Sequence, residues 1–140
     1  KCIPVKEIRD VFVAGRKFEY LKERMLGYEE LMKLPVMCLE GNTSTRTYVE
    51  QFLASKQVTI RPEFELATSD MLIQFAVRNL GIASVVRNFA EEHLAEGDLF
   101  ELRFLEEIPA RTFCIVANER IPLSAAAATL MNVLVQGTSQ

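Results

Sequence analysis

Apolar residues along this chain come in short bursts separated by polar turns, and the bursts switch between a strand-like and a helix-like spacing. "IRDVFVAG", residues 8–15, is a β-branched and aromatic run closed by Gly15, which predicts a strand and a turn. "RKFEYLKERM" is densely charged and is cut off at Gly27, so it is expected to be irregular or weakly helical. "GYEELMKL" predicts a short helix stopped by Pro35, whose ring excludes helical backbone at the residue before it. "PVMCLEG" predicts a compact strand, and "NTSTRTYVEQFLASK" then sets Tyr48, Val49, Phe52 and Leu53 on one helical face. "VTIRPEFEL" predicts an extended segment with Ile60, Phe64 and Leu66 pointing one way and Pro62 at an edge or bulge.

"ATSDMLIQFAVRNLGIASVV", residues 67–86, repeats the order of hydroxyl-rich turn and helix. Met71, Leu72, Phe75, Ala76 and Leu80 form the predicted apolar stripe, and Gly81 is expected in the left-handed position that closes a helix. "IASVV" is apolar without alternation, as in a central parallel strand covered on both faces. "RNFAEEHLAEGD" predicts a brief helix grouping Phe89, Ala90, His93 and Leu94 and closed by Gly97. "LFELRFL" and "RTFCIVAN" read as two further strands, and "PLSAAAATLMNVLVQ" as a last helix capped by Ser124, with Ala127, Leu130, Met131 and Leu134 on one face. This alternation predicts an α/β fold: a mainly parallel sheet flanked by helices.

With 140 residues, 49% hydrophobic and 25% charged, the chain has enough apolar material for one core. No apolar run approaches the roughly 18–20 residues that span a bilayer, and the start, "KCIPVKEIRD", is not a secretory signal, so a cytoplasmic protein without membrane contact is expected. Cys2, Cys38 and Cys114 are odd in number and far apart, which excludes a zinc or CxxC pattern; Cys38 and Cys114 lie in apolar runs and are expected to be buried, inert thiols. A net charge of -3 argues against direct contact with nucleic acid, so binding to DNA would need residues outside this sequence.

The chemistry worth weighing sits at two strand-to-helix turns. In a parallel sheet such turns open on the carboxyl edge of the strands, where ligands bind. "NTSTR" and "ATSD" each offer hydroxyls next to the free amides and positive dipole end of a first helical turn. Capping alone explains any one such junction, with Thr68, Ser69 or Asp70 satisfying the amides. Arg46 adds to the first, because a cation there opposes the dipole by about 0.3–1 kcal/mol unless an anion compensates. A ligand is one such anion; the plainer alternative is Glu50 at i+4. Asp70 makes the second turn the weaker half. The candidate residues for binding a small polar or anionic ligand are therefore Asn42, Thr43, Ser44, Thr45, Arg46, Thr68 and Ser69. No GxSxG, GxxxxGK[ST] or GxGxxG motif is present, His93 is the single histidine, and the glutamate pairs Glu29/Glu30, Glu91/Glu92 and Glu106/Glu107 read as solvated faces. Binding without turnover, and no cofactor or metal, is the expectation.

The segments "EELMKLPVMCLEG", "TSTR" with "VEQFL", "RPEFELATSDMLIQFAVRNLGIASVV", "LAEGDLFEL", "IPARTFCIVAN" and "PLSAAAATLM", taken in order, resemble the effector-binding region of LysR-type transcriptional regulators. Asn79 stands where that family commonly has glycine. The resemblance implies a bacterial regulator whose N-terminal winged helix-turn-helix reads DNA, and a two-lobed sensor like type 2 periplasmic binding proteins, with a small polar or anionic effector between the lobes. Within that scheme residues 11–113 are the second lobe, 1–10 the crossover strand region and 114–140 the return strand and last helix of the first lobe, while the DNA-binding part is absent. Faces meant for a missing lobe would be exposed or covered by a partner chain, which predicts a homo-oligomer or a domain-exchanged arrangement. The main rival is a fragment of a periplasmic-type solute-binding protein; a small α/β hydrolase is disfavoured because its hydroxyls lack a base.

Overall fold

The computed structural model describes residues 2–116, with side chains from 3 to 112; the expected last helix, its cap Ser124 and the side chain of Cys114 lie outside them. In chain order the strands and α-helices are β1 (Cys2–Ile8), β2 (Asp10–Ala14), β3 (Met25–Leu26), β4 (Val36–Leu39), α1 (Ser44–Ser55), β5 (Phe64–Leu66), α2 (Ser69–Val77), β6 (Ile82–Val86), α3 (Glu91–Glu96), β7 (Phe100–Glu101), β8 (Arg103–Phe104) and β9 (Arg111–Val116). Short 3-10 helices cover Arg16–Leu21, which is kinked at Phe18, Tyr28–Lys33 and Arg87–Ala90, where short helices or irregular chain were expected. Among the described residues no helix is long and apolar enough to cross a membrane.

The chain divides into two units, and Arg9–Pro109 form one of them. Its sheet runs β5-β4-β6-β2-β7. β4 is parallel to β5 and to β6, but β2 is antiparallel to both β6 and β7. The sheet is therefore mixed, not mainly parallel. "DVFVA" and "IASVV" are buried at every position because both faces are covered, and a strand covered on both faces lacks alternation whichever way its neighbours run. One face carries Phe12, Val36 and Ile82 against Val49 and Leu53 of α1. The other carries Val13, Met37 and Val85 against Leu72, Ile73 and Ala76 of α2. Each such side chain contributes about 1.5–3 kcal/mol by leaving water. In the second unit β1 and β9 pair antiparallel from Cys2↔Val116 to Ile8↔Arg111, with a bulge beginning at Pro4, where a missing N–H is tolerated.

Several local expectations shift. The buried stripe of α2 is Leu72, Ile73 and Ala76, while Met71 and Leu80 are 41% and 45% exposed, so the helix is rotated toward Ile73. Only Phe64–Leu66 of "VTIRPEFEL" pairs as strand; Ile60 packs on the α1 face and Leu66 on the α2 face. α2 ends through Asn79, not Gly81: Asn79 has φ +63°, its N–H donates to Ala76 O (3.0 Å), and the Leu80 N–H donates to Phe75 O (3.1 Å). Gly81 serves close approach, since a Cβ there would stand 2.7 Å from Pro35 O and 2.9 Å from Met37 Cγ. α3 is closed as expected by Gly97 at φ +86°.

α1 ends in the same double-bonded way, with Gln57 N–H to Ala54 O at 3.0 Å and Val58 N–H to Leu53 O at 2.9 Å, but its left-handed residue is Gln57 at φ +61°. A glutamine Cβ is disfavoured there by about 1 kcal/mol. Gln57→Gly is expected to raise the unfolding free energy by about 0.5–1 kcal/mol despite the looser unfolded chain. Urea denaturation monitored by circular dichroism checks it; a midpoint that falls contradicts the strain.

Candidate functional site

β4 and β5 run parallel with Met37↔Phe64, Cys38↔Glu65 and Leu39↔Leu66 in register, and the Glu40 N–H extends the pairing to Leu66 O at 3.0 Å. The chain therefore leaves both strands at the same sheet edge. From β4 it turns through Glu40, Gly41 and Asn42 to Thr43, whose extended backbone and hydroxyl cap α1: the Arg46 N–H donates to Thr43 Oγ1 at 3.1 Å. The Thr43 hydroxyl in turn donates to Glu40 O at 3.2 Å, and the Thr47 hydroxyl to Thr43 O at 3.1 Å. From β5 the chain passes to Thr68, which caps α2 by accepting from the Met71 N–H at 3.1 Å. Each cap contributes about 0.5–2 kcal/mol. Capping is thus what Thr43 and Thr68 do, and Thr68, not Asp70, does it at α2.

Arg46 has protein anions of its own. Its Nε donates to Glu50 Oε1 at 2.5 Å, and its Nη1 donates both to Glu65 Oε1 at 2.8 Å and to Leu39 O at 3.1 Å. The side chain is only 14% exposed. Burial works against its charge, but the hydrogen bonds to Glu65 and Glu50 prevail and hold the guanidinium above its ordinary pKa. The i+4 partner weighed from the sequence is present, and Glu65 joins it from the neighbouring strand. Arg46 ties the first turn of α1 to the ends of β4 and β5.

Cys38 lies on β4 beside this clasp, half-buried where full burial was expected. Burial pushes its thiol up to about 11; Arg46 pulls it down, and Glu50 and Glu65 push it up. A thiol held protonated at neutral pH is a weak nucleophile. His93 sits at the end of α3 with Nδ1 3.2 Å from Asp98 Oδ2, and Glu96 brings a third donor atom to within 4.8 Å of both. This group lies at the surface on a helix of one and a half turns, remote in sequence from the two capped turns.

All seven candidate residues fall at the edge where β4 and β5 end. Asn42 and Ser44 are exposed, Thr45 and Ser69 partly so, at the turn or in the first helical turns. The sequence reading missed Glu65, which is 19 residues from Arg46 and carries no local mark. It also passed over Ser84, a polar residue 6% exposed within the apolar run of β6; the break in that run was the available signal.

The comparisons with known proteins agree on the architecture. Residues 1–139 match the LysR substrate binding domain family. A stretch of 73 residues, 52% of this chain, is 27% identical to the HTH-type transcriptional activator CmpR of Synechocystis, of which it covers 24%. The CcmR regulatory domain of Synechocystis PCC6803, solved in complex with 2-PG, superposes with a TM-score of 0.83 at 19% identity, covering 99% of this chain and 66% of that one. The effector binding domain of QuiR in complex with shikimate gives a TM-score of 0.79 at 11% identity, over 99% of this chain and 65% of that one. The chain spans about a quarter of the curated relative and under two thirds of the QuiR domain. With a match over nearly its whole length, the chain belongs to the LysR substrate binding domain family.

Proposed function

We propose that this chain is the effector-sensing part of a LysR-type transcriptional regulator, and that a small polar or anionic effector is held at the first turns of α1 and α2. The observation that carries the reading is the in-register parallel pairing of β4 and β5, which opens two capped helix N-termini on one sheet edge. Thr43 and Thr68 preorganise the turns. Ser44 and Ser69 contribute hydroxyls and first-turn amides, and Asn42 and Thr45 border them. Arg46 acts by holding the α1 turn in place, since its charge is already met by Glu50 and Glu65. That grouping carries a net negative charge, which favours a hydroxylated ligand with one acidic group over a multiply charged one.

The rest of the reading follows the family. DNA is contacted through a separate N-terminal module, the regulator works in the cytoplasm as a homo-oligomer, and the domain binds without turnover. Residues 11–113 are read as the second lobe, with 1–10 and 114–140 belonging to the first; the separate pairing of β1 with β9 favours two lobes but draws the boundaries in to Arg9 and Pro109, so that residues 111–113 go with β1. Family membership favours a regulator over a solute-binding protein.

Amide NMR of the chain titrated with shikimate and, separately, inorganic phosphate tests the site. Saturating shifts are expected at Ser44, Thr45, Ser69 and Asp70 in the millimolar range. Ser44→Asp and Ser69→Asp suit the helix dipole and so preserve the fold, yet are expected to weaken binding at least about tenfold by like-charge repulsion. Shifts confined to other regions, or variants that bind as the parent does, would overturn the assignment.

A further inference from the structure

Beneath α1, inside the unit Arg9–Pro109, lies a cavity of about 160 Å³. Its walls are mainly apolar: Phe12 from β2, Val49 and Leu53 from α1, and Val58 and Ile60 from the segment that follows. Side chains alternate along β6, so Ser84 shares the face of Ile82 under α1, while Ala83 and Val85 face α2. Ser84 lines the cavity at 6% exposure, and among the described residues its hydroxyl has no hydrogen-bond partner. Among the described residues no fully enclosed side-chain polar atom lacks a partner, so this hydroxyl keeps its open surface toward the cavity. A hydroxyl taken from water without a partner is costly, and the cavity is where a partner fits.

The charge around the cavity selects against ions. Arg46 and Glu50, both on its wall, are paired with one another, and Glu65 takes a further guanidinium bond. An incoming anion finds no unmatched cation there and meets carboxylates instead, and either kind of ion would lose its hydration. Size is informative as well: an engineered apolar cavity of about 150 Å³ in another protein binds benzene.

We propose that this cavity is a second ligand site, taking a small neutral aromatic ring that bears one hydroxyl, with the ring against Phe12, Val49 and Leu53 and the hydroxyl on Ser84. The assignment does not depend on the effector reading, whose test is read at Ser44 and Ser69. It borders that rim through Thr45 and Arg46, so an occupant would brace α1 from below.

The test is methyl NMR of the chain titrated with phenol, toluene and benzoate. Phenol is expected to shift the methyls of Val49, Leu53, Val58 and Ile60 to saturation, and benzoate to leave them in place. In Ser84→Ala the preference for phenol over toluene is expected to fall about three- to tenfold, the worth of one hydrogen bond. Ala54→Leu, on the exposed side of α1 at the cavity wall, is expected to abolish phenol binding while the amide spectrum stays folded. Unmoved methyls mean that the cavity holds water only and overturn the proposal. So does an unchanged phenol preference in Ser84→Ala, or benzoate that binds as well as phenol.

Discussion

Phe12→Ala is expected to lower the unfolding free energy by about 3–5 kcal/mol, the range for deleting a buried aromatic side chain from a packed core. Phe12 is 1% exposed at the centre of β2, opposite Ser84 in the antiparallel pair with β6. Its ring meets Phe104 edge to face with centroids 5.7 Å apart, and Phe104 stacks on Tyr28 at 4.1 Å. It also forms a wall of two cavities, the one of about 160 Å³ beneath α1 and another of about 280 Å³ bounded by Tyr28, Leu102 and Phe104. Removing the ring opens the space between them, and a strand on a sheet shared by two helices cannot close over that void. Phe12→Leu, which retains most of the volume, is expected to lose about 1–1.5 kcal/mol. Urea denaturation decides both values; a loss under 1 kcal/mol for Phe12→Ala would mean that the ring is not packed as described.

How much of this was legible beforehand depends on the range of the interaction that decides each feature. Thr43 and Thr68 were legible as caps because a cap is settled within four residues: a hydroxyl, an extended backbone and the amide three positions on. The end of α2 was misassigned by two residues because a distant partner helps to decide it. Gly81 is the permissive residue, but Asn79 tolerates the left-handed region and its Oδ1 accepts the Lys17 N–H at 3.0 Å, a partner 62 positions away that no local pattern contains. Strand direction was not legible at all. β2 precedes every other strand of its sheet and inserts between β6 and β7, and its buried five-residue run is consistent with either polarity. The carboxyl-edge argument survived that error because β4, β5 and β6, the strands it needed, are the parallel ones. The cavity beneath α1 was illegible because it is made from β2, β4, β6 and α1 together; only the hydroxyl of Ser84 in an apolar run hinted at it.

Arg46 is where the two accounts of the rim separate, and its removal has the second largest expected effect. Arg46→Ala deletes three contacts at once, to Glu50, to Glu65 and to the Leu39 carbonyl. The two carboxylates are half or more exposed, so each ion pair contributes well under 1 kcal/mol after screening. The charged bond to Leu39 O at the strand end and the packing of the largely buried side chain bring the total loss to about 2 kcal/mol. Lysine at this position has one ammonium in place of a planar fork and cannot meet β4, β5 and α1 together, so Arg46→Lys is expected to recover less than half. Well below the unfolding temperature, the clasp account requires Arg46→Ala to retain the shikimate-induced shift at Ser69 with only modest weakening. A guanidinium that met the effector directly would give the reverse pattern: stability unchanged by alanine, and the ligand response gone. Thermal unfolding and the amide titration of this one variant therefore distinguish a residue that shapes the turn from one that binds what the turn holds.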